Sequence, residues 1–71
     1  MKKDAVNLEL LKKIRQEKRV RQTDISKALG KSKAYYTLME TGHIKVSLEA
    51  MKTIIRTLDL TQEQSKEIFG I

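Results

Sequence analysis

The chain contains no cysteine and no proline, and only three of its 71 residues are glycine. The lack of cysteine excludes disulfides, thiolate metal ligands and cysteine nucleophiles, and is typical of a reducing, cytoplasmic compartment. No run of apolar residues is longer than three, so the sequence predicts neither a membrane-spanning segment nor a signal peptide. Because helix-breaking residues are rare, we expect a soluble helical protein.

The charge is positive and unevenly distributed. The formal net charge is +6, with a pI of about 9.8. Residues 1–45 contain twelve Lys and Arg against five Asp and Glu, whereas residues 46–71 contain three against four. A basic half of this kind suggests nucleic acid or an acidic membrane surface as the partner, although positive charge also serves solubility. A chain this short forms one small domain of marginal stability.

Hydrophobic periodicity predicts five short helices. Gly30 and Gly42 are suited to end the second and third helices in the left-handed conformation. Capping side chains are expected before the last three helices, at Ser32, Ser47 and Thr61. The predicted helices span about residues 5–18, 22–29, 33–40, 48–58 and 62–69.

The second and third helices are joined by a three-residue turn that contains glycine, which is the arrangement of a DNA-binding helix-turn-helix. From Leu11 to Leu60 the sequence resembles the Cro and lambda-repressor type of helix-turn-helix protein, the XRE family. The matching residues are Leu11, Arg15, Gln22, Leu29, Gly30, Glu40, Gly42, Ser47, Leu48, Glu49, Leu58, Leu60 and Thr61. The resemblance implies an all-α, compact five-helix lambda-repressor-like DNA-binding domain over residues 1–71.

The chain departs from the family pattern at three positions. Ser26 replaces a common alanine, a change that helix packing can absorb. Lys31 replaces an aliphatic residue and adds a cation to the turn. Arg21 replaces the usual capping serine or asparagine, and a cation at a helix N-terminus supplies no capping acceptor and opposes the helix dipole. A phosphate bound at that place would account for Arg21.

The resemblance implies that the helix at 33–40 reads the major groove. With 100° per residue, Tyr36, Met39 and Glu40 face inward, and the opposite side faces outward. Apolar outward side chains suit thymine methyl groups, and a lysine in the first turn suits a guanine edge or a phosphate. Outside such a motif the outward positions of this helix would be ordinary exposed residues. The predicted base contacts are Ser32, Lys33, Ala34, Thr37 and Leu38.

Phosphate contacts are expected around this helix. In the family, the glutamine that opens the second helix commonly bonds a backbone phosphate, and Gln22 has that position. Adjacent tyrosines cannot share a helix face, so Tyr36 is expected inside and Tyr35 outside, with its hydroxyl on a phosphate; the alternative for Tyr35 is a partly exposed ring on the side of the second helix. The predicted phosphate contacts are Arg21, Gln22, Lys31, Tyr35 and Lys45.

The family often has a buried ion pair at the positions of Arg15 and Glu40, so the resemblance implies such a pair here. The alternative is a surface charge and an unrelated helix cap, which would contribute little stability. Near the end of the chain, apolar side chains either close the core or form a homodimer contact. These residues are Ile68, Phe69 and Ile71.

We expect a sequence-specific transcriptional regulator that binds double-stranded DNA, Cro-like and a repressor, of phage or mobile-element type. Its expected location is the cytoplasm, with the nucleoid. The alternative is a protein-interaction module on the same fold, an antirepressor or accessory subunit. A basic membrane-surface helix ranks last, because the first helix uses its apolar face in the core. No enzymatic activity, cofactor, metal or small-molecule ligand is expected, since His43 is alone and no nucleophile stands beside a base.

Overall fold

The computed structural model describes residues 6–70, and the part of the chain that it describes contains five α-helices and no strand. The expected all-helical, five-helix fold is confirmed. The helices are α1 (Leu8–Glu17), α2 (Gln22–Ala28), α3 (Tyr35–Glu40), α4 (Leu48–Leu58) and α5 (Gln62–Phe69).

α1 is shorter than the predicted span of 5–18. Asn7 caps it, because its side-chain oxygen accepts a hydrogen bond from the Leu10 amide at 3.1 Å. The Asn7 amide itself donates to the Ile68 carbonyl at 2.7 Å, so the start of α1 is tied to α5. At the other end, Lys18 is the C-cap, and Arg19 after it has a φ of 58°, a left-handed conformation in which α1 cannot continue.

α3 begins at Tyr35, two residues later than predicted, and the expectation that Ser32 caps it was wrong. Ala34 occupies the N-cap position in a helical conformation and makes no side-chain capping bond. The cap comes instead from α2: the Ser26 hydroxyl accepts from the Tyr36 amide at 2.9 Å and donates to the Lys33 carbonyl at 3.0 Å. Ser26 is therefore a structural link between the two helices rather than a neutral replacement for alanine.

The other predicted helix ends agree with the structure. The Ser47 hydroxyl accepts an amide hydrogen bond in the first turn of α4. Thr61 and Gln64 form the capping box of α5, with both bonds at 3.0 Å. Gly30 and Gly42 have φ values of 73° and 88°, the left-handed conformation that ends α2 and α3.

A single core receives side chains from all five helices and from the turn before α5. Ile68 and Phe69 are 1% and 9% exposed, so of the two alternatives these residues close the core and offer little free surface for a dimer contact. Ile71 lies outside the described residues. The buried apolar side chains are Leu11, Ile14, Ile25, Tyr36, Met39, Ala50, Ile54, Leu58, Leu60, Ile68 and Phe69.

Candidate DNA interface

The turn between α2 and α3 is held by hydrogen bonds at both ends. The Gly30 amide donates to the Lys27 carbonyl, and the Lys31 amide donates to the Ser26 carbonyl, both at 3.0 Å. At the other end of the turn, the Ser26 hydroxyl bonds the Lys33 carbonyl and the Tyr36 amide. These bonds fix the backbone from residue 30 to residue 36 relative to α2. The chain thus has the geometry of a helix-turn-helix.

α3 has a buried side and an exposed side, as the sequence predicted. Tyr36 and Met39 are fully buried, and Glu40 is also buried. Leu38 is 41% exposed on the other side, while Thr37 is half-buried between the two.

Most of the predicted base contacts lie in the turn rather than on the helix. Ser32, Lys33 and Ala34 are exposed and precede the first residue of α3. The prediction that Lys33 lies in the first turn of the helix was therefore wrong. Lys33 lies in the loop that precedes α3. Leu38 is on the helix and exposed, and Thr37 is on the helix with its hydroxyl in an internal hydrogen bond. The five residues lie within the segment 32–38, in which the half-buried Tyr35 and the buried Tyr36 separate Ala34 from Thr37.

Arg15 and Glu40 form a buried ion pair, the arrangement that the family resemblance implied. Arg15 Nε donates to Glu40 Oε2 at 2.8 Å, and Arg15 Nη2 donates to Glu40 Oε1 at 3.1 Å. The two side chains are only 10% and 2% exposed. Arg15 Nη1 donates to the Val20 carbonyl at 2.9 Å, so the same guanidinium also fixes the connection between α1 and α2.

Glu40 accepts four hydrogen bonds in all. In addition to the two from Arg15, its Oε2 accepts from the Tyr36 hydroxyl at 2.7 Å and its Oε1 accepts from Gln22 Nε2 at 2.8 Å. Burial disfavours the carboxylate, but the hydrogen bonds from Arg15, Tyr36 and Gln22 outweigh it and hold the pKa of Glu40 below its usual value. Burial and the neighbouring carboxylate raise the pKa of Tyr36.

The side chain of Gln22 differs most from its predicted setting. It was expected to point at a phosphate, yet it is bonded internally at both ends: its nitrogen donates to Glu40, and its oxygen accepts from the Thr37 hydroxyl at 3.0 Å. One Nε2 hydrogen is left over for a phosphate. No local sequence pattern signals the Gln22–Thr37 bond, because it joins residues on two different helices.

The tyrosine pair divides as predicted, with Tyr36 fully buried and Tyr35 half-buried. The Lys31 ammonium lies 5.3 Å from the centroid of the Tyr35 ring, within cation–π range. The ring also packs against the edge of the core. Lys31 and Tyr35, both predicted phosphate contacts, are therefore neighbours.

The remaining predicted phosphate contacts are exposed. Arg21 makes no side-chain cap; instead its amide donates to the Asp24 carboxylate at 3.1 Å, and its side chain is 82% exposed. Lys45 is exposed in the loop before α4. The hydroxyl of Thr41 lies 3.0 Å from Nδ1 of His43. Within residues 6–70 there is no group of three acidic, histidine or cysteine side chains placed to hold a metal.

A family model described as helix-turn-helix matches residues 11–64, more than half of the chain. The chain belongs to this family, the XRE type of helix-turn-helix proteins, and is a DNA-binding helix-turn-helix protein. No curated protein and no solved structure matched the chain. Along residues 6–70, every helix is too short or too polar to cross a bilayer.

Proposed function

We propose that the protein is a sequence-specific transcriptional regulator, a Cro-like repressor, that reads the major groove of double-stranded DNA with side chains of the segment 32–38. The reading side chains are those of Ser32, Lys33, Ala34, Thr37 and Leu38. The observation that carries the proposal is that hydrogen bonds hold this segment in place at both of its ends. Ser26 fixes its backbone from one side, and the buried Arg15–Glu40 pair fixes the end of α3 from the other. A preorganised reading segment loses little conformational entropy on binding.

Within this segment the side chains have different chemical roles. Ala34 and Leu38 offer apolar contacts that suit thymine methyl groups, and Leu38 is 41% exposed. Lys33 is exposed and can donate to guanine or to a phosphate. Ser32 can bond either a base or a phosphate through its hydroxyl. Thr37 stands at the border between this surface and the interior.

Around the segment, exposed cations and polar groups supply the sequence-independent part of the affinity. Arg21 and Lys45 are exposed, Lys31 is placed beside the Tyr35 ring, and Gln22 keeps one amide hydrogen. Contacts of this kind release counterions from DNA. They position the protein, whereas the base contacts specify the site.

The proposed setting is the cytoplasm and nucleoid of a bacterial cell that carries a phage or mobile element. The protein acts there without enzymatic activity or cofactor. As a homodimer it would read two half-sites about 34 to 36 Å apart. Because Ile68 and Phe69 are buried in the core of the chain itself, their side chains would contribute little to the interface of such a dimer.

The test is selection of DNA from a pool of random duplexes at several salt concentrations, followed by sequencing. We expect a recurrent, palindromic motif and an affinity that falls with salt with a slope of about −4 in log K against log salt. Lys66→Ala, which removes an exposed cation of α5, is the matched control and should leave both unchanged. A folded protein that enriches no sequence and does not bind DNA at low salt would exclude this function.

One observation favours a second function, a protein-interaction module on the same fold. The large exposed apolar side chains within residues 6–70 are Leu38, at 41%, and Leu48, at 64%. Exposed apolar anchors suit a protein partner. Two results together would support this alternative: the protein enriches no DNA sequence, and it binds another regulator with an affinity that Leu38→Ala lowers.

A further inference from the structure

The hydroxyl of Thr37 has a fixed direction of hydrogen bonding, and the direction is set from the interior. Glu40 Oε1 lies 2.8 Å from Gln22 Nε2. A carboxylate that already accepts from Arg15 and Tyr36 can only accept, so the amide of Gln22 must present its nitrogen to it. The reverse orientation would place two oxygens against each other at that distance.

The orientation of Gln22 then determines what Thr37 can do. With its nitrogen on Glu40, Gln22 turns its carbonyl oxygen toward Thr37 Oγ1, at 3.0 Å. A carbonyl oxygen cannot donate, so the single hydroxyl hydrogen of Thr37 points at Gln22. The Thr37 oxygen keeps only its lone pairs for any further partner.

We infer that Thr37 is a specificity-determining residue that accepts a hydrogen bond from a base amino group, and this inference rests on the proposed function. A free threonine hydroxyl can pair with either a donor or an acceptor on a base edge. In this chain the Thr37 hydroxyl can only accept, so at the base that it contacts it favours the amino group of adenine (N6) or cytosine (N4) over the keto oxygens of guanine and thymine. Gln22 and Glu40 are positioning residues for this choice, since they act through Thr37.

The inference depends on two successive hydrogen bonds, Gln22 to Glu40 and Thr37 to Gln22, and each of them fixes the direction of the next. The buried Arg15 partner keeps Glu40 ionised, which fixes Gln22. Gln22→Met removes the carbonyl from Thr37 at nearly the same side-chain length, so the hydroxyl becomes free to rotate and donate. Thr37→Val replaces the hydroxyl with a methyl group of similar shape, and Thr37→Ser keeps the hydroxyl.

The experiment compares the bases selected by the wild type, Thr37→Val, Thr37→Ser and Gln22→Met, with thermal unfolding showing that each is folded. At one position of the DNA site, we expect the wild type and Thr37→Ser to prefer adenine or cytosine over guanine and thymine by about threefold to tenfold. Thr37→Val should lose that preference and keep the rest of the motif. Gln22→Met should bind all sites more weakly and become indifferent between amino and keto bases at that position.

A second measurement uses modified DNA. Where adenine is selected, replacing it with purine, which lacks the N6 amino group, should weaken wild-type binding by the same factor and leave Thr37→Val unaffected; where cytosine is selected, a base lacking the N4 amino group serves the same purpose. An enriched motif that Thr37→Val leaves unchanged, or a guanine or thymine preference that it removes, would overturn the inference while the proposed function stands. No enriched motif from folded protein would overturn both.

Discussion

Arg15 in α1 and Glu40 at the end of α3 are 25 residues apart in sequence and meet in a buried bidentate ion pair, with Nε–Oε2 at 2.8 Å and Nη2–Oε1 at 3.1 Å. The carboxylate has two more donors, Tyr36 and Gln22, and the guanidinium has one more acceptor, the Val20 carbonyl. The pair therefore joins α1, the start of α2 and α3 at a single point. No buried side-chain nitrogen or oxygen within residues 6–70 lacks a hydrogen-bond partner.

Removing one member of this pair should be strongly destabilising. Arg15→Met leaves the Glu40 carboxylate buried without its cation, which costs about 3 to 5 kcal/mol of the free energy of unfolding. Urea unfolding measures the loss, and Lys12→Met, an exposed position of the same helix, should change stability by less than about 0.5 kcal/mol. Similar losses at both positions would contradict the assignment of Arg15 as a buried structural partner.

Acid should destabilise the protein through the same carboxylate. The pKa of Glu40 is lower in the folded chain than its ordinary value of 4.5, so the folded state binds fewer protons than the unfolded state near that pH. The stabilisation is complete above pH 4.5 and is lost as the pH falls toward the folded pKa. Urea unfolding between pH 6 and pH 2 should show this decline, and Glu40→Gln should flatten it while starting from lower stability. An equally steep decline in Glu40→Gln would assign the acid sensitivity to other groups.

Alkali should act through Tyr36. Its pKa is raised above the ordinary value of 10.0, so above pH 10 the unfolded chain loses the phenolic proton while the folded chain keeps it. Stability therefore falls as the pH rises above 10. Tyr36→Phe should be about 1.5 to 3 kcal/mol less stable at neutral pH, because Glu40 loses a donor, and should lack the contribution of Tyr36 to the alkaline decline.

Tyr35→Phe is the matched control for that experiment. Tyr35 is half-buried at the edge of the core, whereas Tyr36 is fully buried, so the Tyr35 hydroxyl should matter little for the fold. We expect unchanged unfolding but weaker binding to every DNA sequence, as a phosphate contact requires. A Tyr35→Phe protein that unfolds as easily as Tyr36→Phe would contradict this division between the two tyrosines.

Helix periodicity was enough to predict the five helices, because an apolar stripe on each faces the core. Gly30 and the surrounding family residues were enough to predict the helix-turn-helix. The buried partner of Arg15 followed from the family resemblance and not from local pattern, since the two residues lie on different helices.

The start of α3 could not be predicted in the same way. The sequence offers Ser32 as a local cap, but Ser26, ten residues before Tyr36, supplies the hydroxyl through tertiary packing. The Gln22–Thr37 bond has the same origin, since it depends on how α2 and α3 pack and on the carboxylate behind them. Propensity and capping patterns describe neighbours along the chain, whereas these contacts join distant residues.

Ser26→Ala tests this tertiary cap. The substitution leaves the Tyr36 amide and the Lys33 carbonyl without their hydrogen-bond partner. Because Ser26 is only 1% exposed, water cannot replace the lost hydroxyl, and the free energy of unfolding should fall by about 1 to 3 kcal/mol. Ser32→Ala is the control, because Ser32 is exposed and its side chain caps nothing in the described part of the chain. Thermal unfolding should separate the two variants by several degrees. A larger loss in Ser32→Ala than in Ser26→Ala would restore the local cap that the sequence suggested.

The division of the DNA surface into positioning and reading contacts gives the last prediction. Arg21 is 82% exposed at the start of α2, so Arg21→Ala should weaken binding to all sequences about equally and make the salt slope shallower by about one unit. Leu38 presents an apolar side chain on α3, so Leu38→Ala should change which base is preferred at one position and leave the salt slope as it is. Titrations of both variants against the selected motif and its single-base variants, at three salt concentrations, distinguish the two effects. If both variants lose affinity for every sequence by the same factor with the same change in slope, Leu38 reads no base, and the specificity is left to the other proposed base contacts.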